Sequence, residues 1–171
     1  VPLLSRRTIK KLKEQTIDND LVVLTGEVKN PSGYGRIIKD KDGKPMAIIE
    51  ELDCDEEQKE IKEINSGIMA FNTNTAKNLV ERIKPNPKKN EYYLTDAIEI
   101  AYHEGLRAVT YRTTEEEVFG VNSKKDLAEA EKINRIKIAG ELMDNGVTVI
   151  DPNRIDVRGK LTCGKDVTID V

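Results

Sequence analysis

The sequence predicts an α/β layer fold with at least part of its sheet parallel, then a long polar helix and the opening of a parallel β-helix. Three observations lead there. Between Leu21 and Tyr111, short apolar runs alternate with segments of helical periodicity. At Ser123 the character changes to a charged stretch of roughly six helical turns. Past that stretch, aliphatic residues return at every sixth position.

In chain order, Ser5 is placed as the N-cap of a short helix with Ile9 and Leu12 facing inward. Leu21-Val22-Val23-Leu24-Thr25 reads as a buried strand, rich in β-branched residues. Residues 37–39 and 46–50 read as two strands joined across Asp40-Lys41-Asp42-Gly43, where the Asp-Gly step marks a hairpin turn. Asp55 and Gln58 form a capping-box pattern for a helix using Ile61 and Ile64, and Ile68-Met69-Ala70-Phe71 is the next strand. Ala76, Leu79, Val80 and Ile83 make a helical stripe that Pro85-Asn86-Pro87 stops. Asp96 and Glu99 cap a further helix, Gly105 ends it, and Ala108-Val109-Thr110-Tyr111 is a strand.

Ser123 and Asp126 form another capping box, opening a helix that runs to about Asn145-Gly146. A helix so long and polar reads as a connector between domains. Beyond it, Ile155, Leu161 and Val167 fall six residues apart, as do Val157, Cys163 and Ile169. This spacing reads as about two rungs of a β-helix, or as alternation within a hairpin. Stacked repeats need neighbours, so two rungs are too few to stand alone.

Composition narrows the function. Charged residues are 35% of the chain and no apolar run approaches a bilayer span, so no membrane segment is expected and the cytoplasm is the default compartment. The net charge is −3, with lysines interleaved among glutamates, and there is no alternation of basic and aromatic residues; nucleic acid is not an expected partner. Cys54 and Cys163 lack metal or disulfide spacing. His103 is the sole histidine, at a helix end, which leaves little room for Ser-His-Asp or Cys-His chemistry.

The strings that carry chemistry are Gly33-Tyr34-Gly35-Arg36-Ile37, then Glu50, then Glu63-Ile64-Asn65-Ser66-Gly67-Ile68. With them stand Val1-Pro2-Leu3, Glu91-Tyr92-Tyr93-Leu94-Thr95-Asp96, Gly120-Val121-Asn122 and Asp151-Pro152. In this order and spacing the chain resembles, nearly end to end, the middle of the bacterial bifunctional N-acetylglucosamine-1-phosphate uridyltransferase and glucosamine-1-phosphate acetyltransferase. The resemblance implies that residues 1–122 are the C-terminal half of a Rossmann-like nucleotide-diphospho-sugar transferase domain with a mixed sheet. It implies a linker helix over 123–146 and the first rungs of a left-handed β-helix over 147–171. It also implies an enzyme that joins UTP and N-acetylglucosamine 1-phosphate into UDP-N-acetylglucosamine, and a second domain using acetyl-CoA, for peptidoglycan and lipopolysaccharide precursors.

Four site residues follow from the same resemblance. Gly35 matches a glycine whose backbone lies against the sugar, where a missing side chain allows close approach; alone, it reads as a turn glycine. Glu50 matches a carboxylate that accepts bonds from sugar hydroxyls, where its neighbour Glu51 reads as a solvated glutamate. Asn65 matches a sugar-contacting asparagine, whose amide both donates and accepts; alone, it reads as a loop or capping residue. Asn122 matches the asparagine that helps to hold Mg2+, a hard cation suited to oxygen donors, and is also a helix-start residue. No general base is needed, because the attacking sugar phosphate is already ionised.

Departures from the family pattern are also legible. The glycine-rich nucleotide loop and the aspartate that pairs with the asparagine at magnesium would precede Val1, and the acetyl-transfer residues would follow Val171. Leu52 stands where relatives usually carry lysine. The chain by itself is therefore expected to turn over neither reaction. A stand-alone sugar-phosphate binding module and a related sugar-1-phosphate nucleotidyltransferase are the other readings. The family is trimeric through its β-helix; with so few rungs, a dimer or another arrangement covering the open sheet edge is expected here.

Overall fold

The computed structural model describes residues 1–87 and 90–170. It contains two compact units, one over Leu3–Val118 and one taking in the chain from Phe119. The first is α/β, built on a five-stranded mixed sheet in the order β3-β2-β4-β1-β5. The strands are β1 (Leu21–Glu27), β2 (Arg36–Lys39), β3 (Pro45–Ile49), β4 (Glu63–Phe71) and β5 (Ala108–Thr113). β1 runs parallel to β5 and antiparallel to β4, while β2 is antiparallel to both β3 and β4.

The apolar run that opens β1 explains why helices cover both sides. Leu21 and Val23 face a core shared with Ile37, Ile48, Leu79, Ile98 and Ala101, under α3 (Thr73–Arg82) and α4 (Asp96–His103). Val22 and Leu24 face the other way, against Leu12 of α1 (Arg6–Gln15) and Val118 of α5 (Glu115–Val118). Alternation along the strand feeds two cores at once, and each Val or Leu buried there contributes about 1.5–3 kcal/mol.

Several expected elements form with their expected caps. Ser5 accepts a bond from the Thr8 N–H and starts α1. The β2–β3 hairpin turns at Gly43 with φ +80, and Asp40 Oδ1 accepts the Asp42 and Lys44 N–H groups at 2.9 Å each. α4 ends at Gly105, where the Leu106 N–H bonds to the Ala101 carbonyl at 2.9 Å.

Others differ. The Asp55 capping box is present, but α2 covers only Glu56–Lys59, and Ile64 belongs to β4. The β-branched Ile61 and Ile64 suit an extended chain, and pairing of Ile64 with β1 wins over the single cap. In α1, Thr8 and Leu12 face inward while Ile9 is 51% exposed. Leu79 of α3 and its C-cap Ile83 are buried, while Val80 is exposed. Asp96 is the first residue of α4 rather than its cap, which is Thr95.

The second unit carries α6 (Lys124–Asp144), opened by the Ser123–Asp126 capping box. It closes at Gly146, φ +88, with the Val147 N–H on the Leu142 carbonyl at 3.1 Å. Ala139 and Leu142 pack with Val147, Val149 and Ile155, and with half-buried Val157, Cys163 and Ile169. Leu161 and Val167 are exposed. β6 (Thr148–Val149) pairs in parallel with β7 (Thr168–Ile169). Among the described residues, no helix is long and apolar enough to cross a membrane.

One close contact is testable. A Cβ on Gly26 would lie 2.4 Å from a Val118 methyl, both residues being buried. Gly26→Ala is expected to destabilise the chain by about 1–3 kcal/mol through overpacking. Adding Val118→Ala should recover part of the loss in urea unfolding midpoints.

Candidate functional site

Gly35, Glu50 and Asn65 lie far apart in the sequence and come together at one end of the sheet. The local reason begins in β4. Val23 pairs with Met69, but Thr25 pairs with Asn65, so Ser66, Gly67 and Ile68 bulge opposite Leu24. The Asn-Ser-Gly string suits this irregularity. Asn65 Oδ1 accepts the Gly67 N–H at 3.0 Å, and Gly67 has φ +79, which glycine takes at little cost. Ser66 Oγ donates to the Leu24 carbonyl at 2.7 Å and accepts the Ile68 N–H at 3.2 Å, so the bulge leaves these groups satisfied.

Asn65 in turn meets the hairpin. Its N–H bonds to the Gly35 carbonyl at 2.8 Å, next to the paired positions Arg36 and Ile64. Glu50 follows the last residue of β3, which pairs antiparallel with β2. A Cβ placed on Gly35 would sit 3.4 Å from each Glu50 carboxylate oxygen and 3.0 Å from an Ile48 methyl. The carboxylate therefore lies over the bare Cα of Gly35. Gly33, with φ +83, is the turn glycine of this segment.

Asn122 is an exposed residue of the second unit, directly before the α6 cap, and its N–H bonds to Asp126 Oδ2 at 3.1 Å. It is not among the three residues that converge. Leu52 is 87% exposed on a single 3₁₀ turn, Glu51–Asp53. Among the described residues, no group of three or more His, Cys, Asp or Glu side chains could hold a metal ion. His103 is the last residue of α4 and is exposed, 3.7 Å from Glu99.

Several polar residues around this end were not legible as site residues. Glu63 is on the same strand as Asn65 and two positions away, hence on the same face. Its carboxylate accepts from Lys39 Nζ at 2.7 Å, Thr25 Oγ1 at 2.9 Å and Arg112 Nη2 at 3.4 Å. Arg112 also pairs with Glu27 at 2.7 Å. Burial pushes the Glu63 carboxyl up, but the bonds from Lys39 and Thr25 and the charges of Lys39 and Arg112 together hold it below the ordinary range. Glu51 is not simply solvated: it pairs with Arg36 at 2.7 Å, and the bond from that guanidinium, against a desolvation penalty, holds its carboxyl low. The available signal was an arginine heading the apolar run Ile37-Ile38, a position where a charge must be paired.

No protein-family model matches the chain. Along its whole length it is similar to curated proteins named Bifunctional protein GlmU. Identity is 47% with that of Dechloromonas aromatica, 44% with that of Paraburkholderia phymatum and 43% with that of Francisella tularensis subsp. novicida, over 172 residues in each case. The chain spans 38% of the length of each of these relatives.

The Glu63 network has a pH signature. A carboxyl held below its ordinary value of 4.5 stabilises the fold above that value and loses the effect as pH falls through the folded pKa. Urea unfolding midpoints should therefore fall as the pH is lowered below 4.5, and Glu63→Gln should flatten that fall. An unchanged slope would remove Glu63 from the acid response.

Proposed function

From a chain that corresponds throughout to a segment of the bifunctional GlmU proteins, we propose that it supplies the sugar-phosphate subsite of a uridyltransferase. The reaction joins N-acetylglucosamine 1-phosphate to UTP, giving UDP-N-acetylglucosamine and pyrophosphate, in the making of cell-wall precursors. The observation that carries this reading is the convergence of the Gly35 backbone, the Glu50 carboxylate and Asn65 at one end of the sheet. Gly35 lets a pyranose ring approach the main chain. Glu50 accepts from hydroxyls through charge-assisted bonds, and the Asn65 amide suits an edge carrying both an N-acetyl group and a hydroxyl.

The chemistry asks little proton transfer of the protein. A phosphate monoester oxygen is ionised at neutral pH and attacks the α-phosphorus of UTP; the bond to pyrophosphate breaks, and the pyrophosphate leaves with its electron pair. Catalysis then rests on holding the reactants in line. Mg2+ would neutralise charge on the phosphates. Asn122 offers one neutral oxygen, which fits an ion that takes few protein ligands and keeps several waters; alone it does not make a metal site.

On the same reading, residues 1–122 belong to the uridyltransferase domain, 123–146 are a linker helix, and 147–171 begin a left-handed β-helix whose parent uses acetyl-CoA and forms trimers in the cytoplasm. The β6–β7 pairing supports this. Thr148 and Thr168 pair in parallel at a separation of 20 residues, near the roughly 18 expected for a coil of three six-residue faces.

Isothermal titration of the chain with N-acetylglucosamine 1-phosphate tests the subsite. Binding is expected, and Glu50→Gln should weaken it by about 10- to 100-fold, the worth of a charge-assisted bond. The urea midpoint should stay unchanged. Equal affinity in the two proteins would overturn the assignment of Glu50.

A further inference from the structure

Arg36 is 1% exposed at the head of β2. A buried guanidinium must be paired, and its partners are informative. It donates to the Tyr34 carbonyl, meets Glu51 Oε2 at 2.7 Å, and reaches the Lys59 carbonyl at 3.5 Å. Arg36 immediately follows Gly35, and Glu51 immediately follows Glu50. One ion pair thus ties together the two segments between which the Glu50 carboxylate lies over Gly35.

We infer that the Arg36–Glu51 pair positions the sugar cradle, fixing the gap between the Gly35 backbone and the Glu50 carboxylate and thereby the affinity for the sugar phosphate. This rests on the subsite proposed above. The pair does not touch the sugar. Arginine is suited to the task because its rigid fork addresses a carbonyl on one side and a carboxylate on the other, which a lysine ammonium on a flexible stem does not reproduce. Glu51 is suited because its side chain is only 30% exposed, so its attraction to Arg36 is partly shielded from water.

The test compares the chain with Arg36→Lys and Glu51→Gln. Two amides report the cradle: the Asn65 N–H, bonded to the Gly35 carbonyl, and the Asp53 N–H, bonded to the Glu50 carbonyl at 2.9 Å. Both substitutions are expected to speed hydrogen exchange at these amides about tenfold while the β1 amides keep their protection. Both should also raise the dissociation constant for N-acetylglucosamine 1-phosphate about tenfold, since small displacements of positioning groups cost that much or more. If Arg36→Lys fails to fold, Glu51→Gln carries the test, because it keeps an acceptor of the same shape at a partly exposed position. Unchanged exchange at Asn65 and Asp53, or a uniform rise across the sheet, overturns the positioning role. Absence of sugar-phosphate binding by the unsubstituted chain would instead remove the subsite, and the exchange pattern would still decide whether the clamp exists.

Discussion

The bond from the Asn65 N–H to the Gly35 carbonyl joins the β2–β3 hairpin to the rest of the sheet, and the arrangement of the candidate site follows from it. The paired positions of β2 and β4 are Arg36 and Ile64, beside that bond. An isolated two-stranded hairpin is marginal in water, so its docking decides whether Gly35 and Glu50 have a fixed place at all. Packing supplies the rest of the anchorage: Ile37 and Ile48 enter the core under α3 and α4. The cradle is thus made of two pieces, a hairpin bringing Gly35 and Glu50 and a central strand bringing Asn65.

Along one face, the sheet passes from hydrocarbon to polar groups. In β1, Leu21 and Val23 lie in the core, and Thr25 and Glu27 enter hydrogen bonds and ion pairs. In β4 the partners follow suit, Phe71 and Met69 packing against the core and Asn65 and Glu63 binding polar groups. The bulge at Ser66-Gly67-Ile68 lies at this transition. Thr25 is wholly buried yet satisfied, since its hydroxyl donates to Glu63. The parallel pair β1–β5 ends in the same region, in keeping with the tendency of α/β sheets to bind ligands past the carboxyl ends of their strands.

Much of the architecture was legible because apolar periodicity and turn chemistry are local signals. The run Leu21–Leu24, the Asp-Gly hairpin and the Ser5 and Ser123 caps each needed only neighbouring residues to be read. The short α2 was misjudged because a capping box starts a helix without fixing its length, and Ile64 was claimed by β1 across the sheet. Ile9 and Val80 satisfy a helical stripe but look outward, since periodicity gives a face only to within a residue or two. Gly35, Glu50 and Asn65 were singled out through ordered strings. Arg36, Glu51 and Glu63 were not, because ion pairing between distant segments leaves no spacing in the chain. Asn122 was singled out by its string, and it sits in the second unit.

The hairpin is also held at its far end, where the Tyr102 hydroxyl bonds to Asp40 Oδ2 at 3.3 Å beside the Gly43 turn. Between that end and the central strand, Ile37 and Ile48 pack into the core, so the hairpin is seated along its length. The hairpin that carries Gly35 is thus shared between a helix and a strand, with Tyr102 bonded at its turn and Asn65 at its open end.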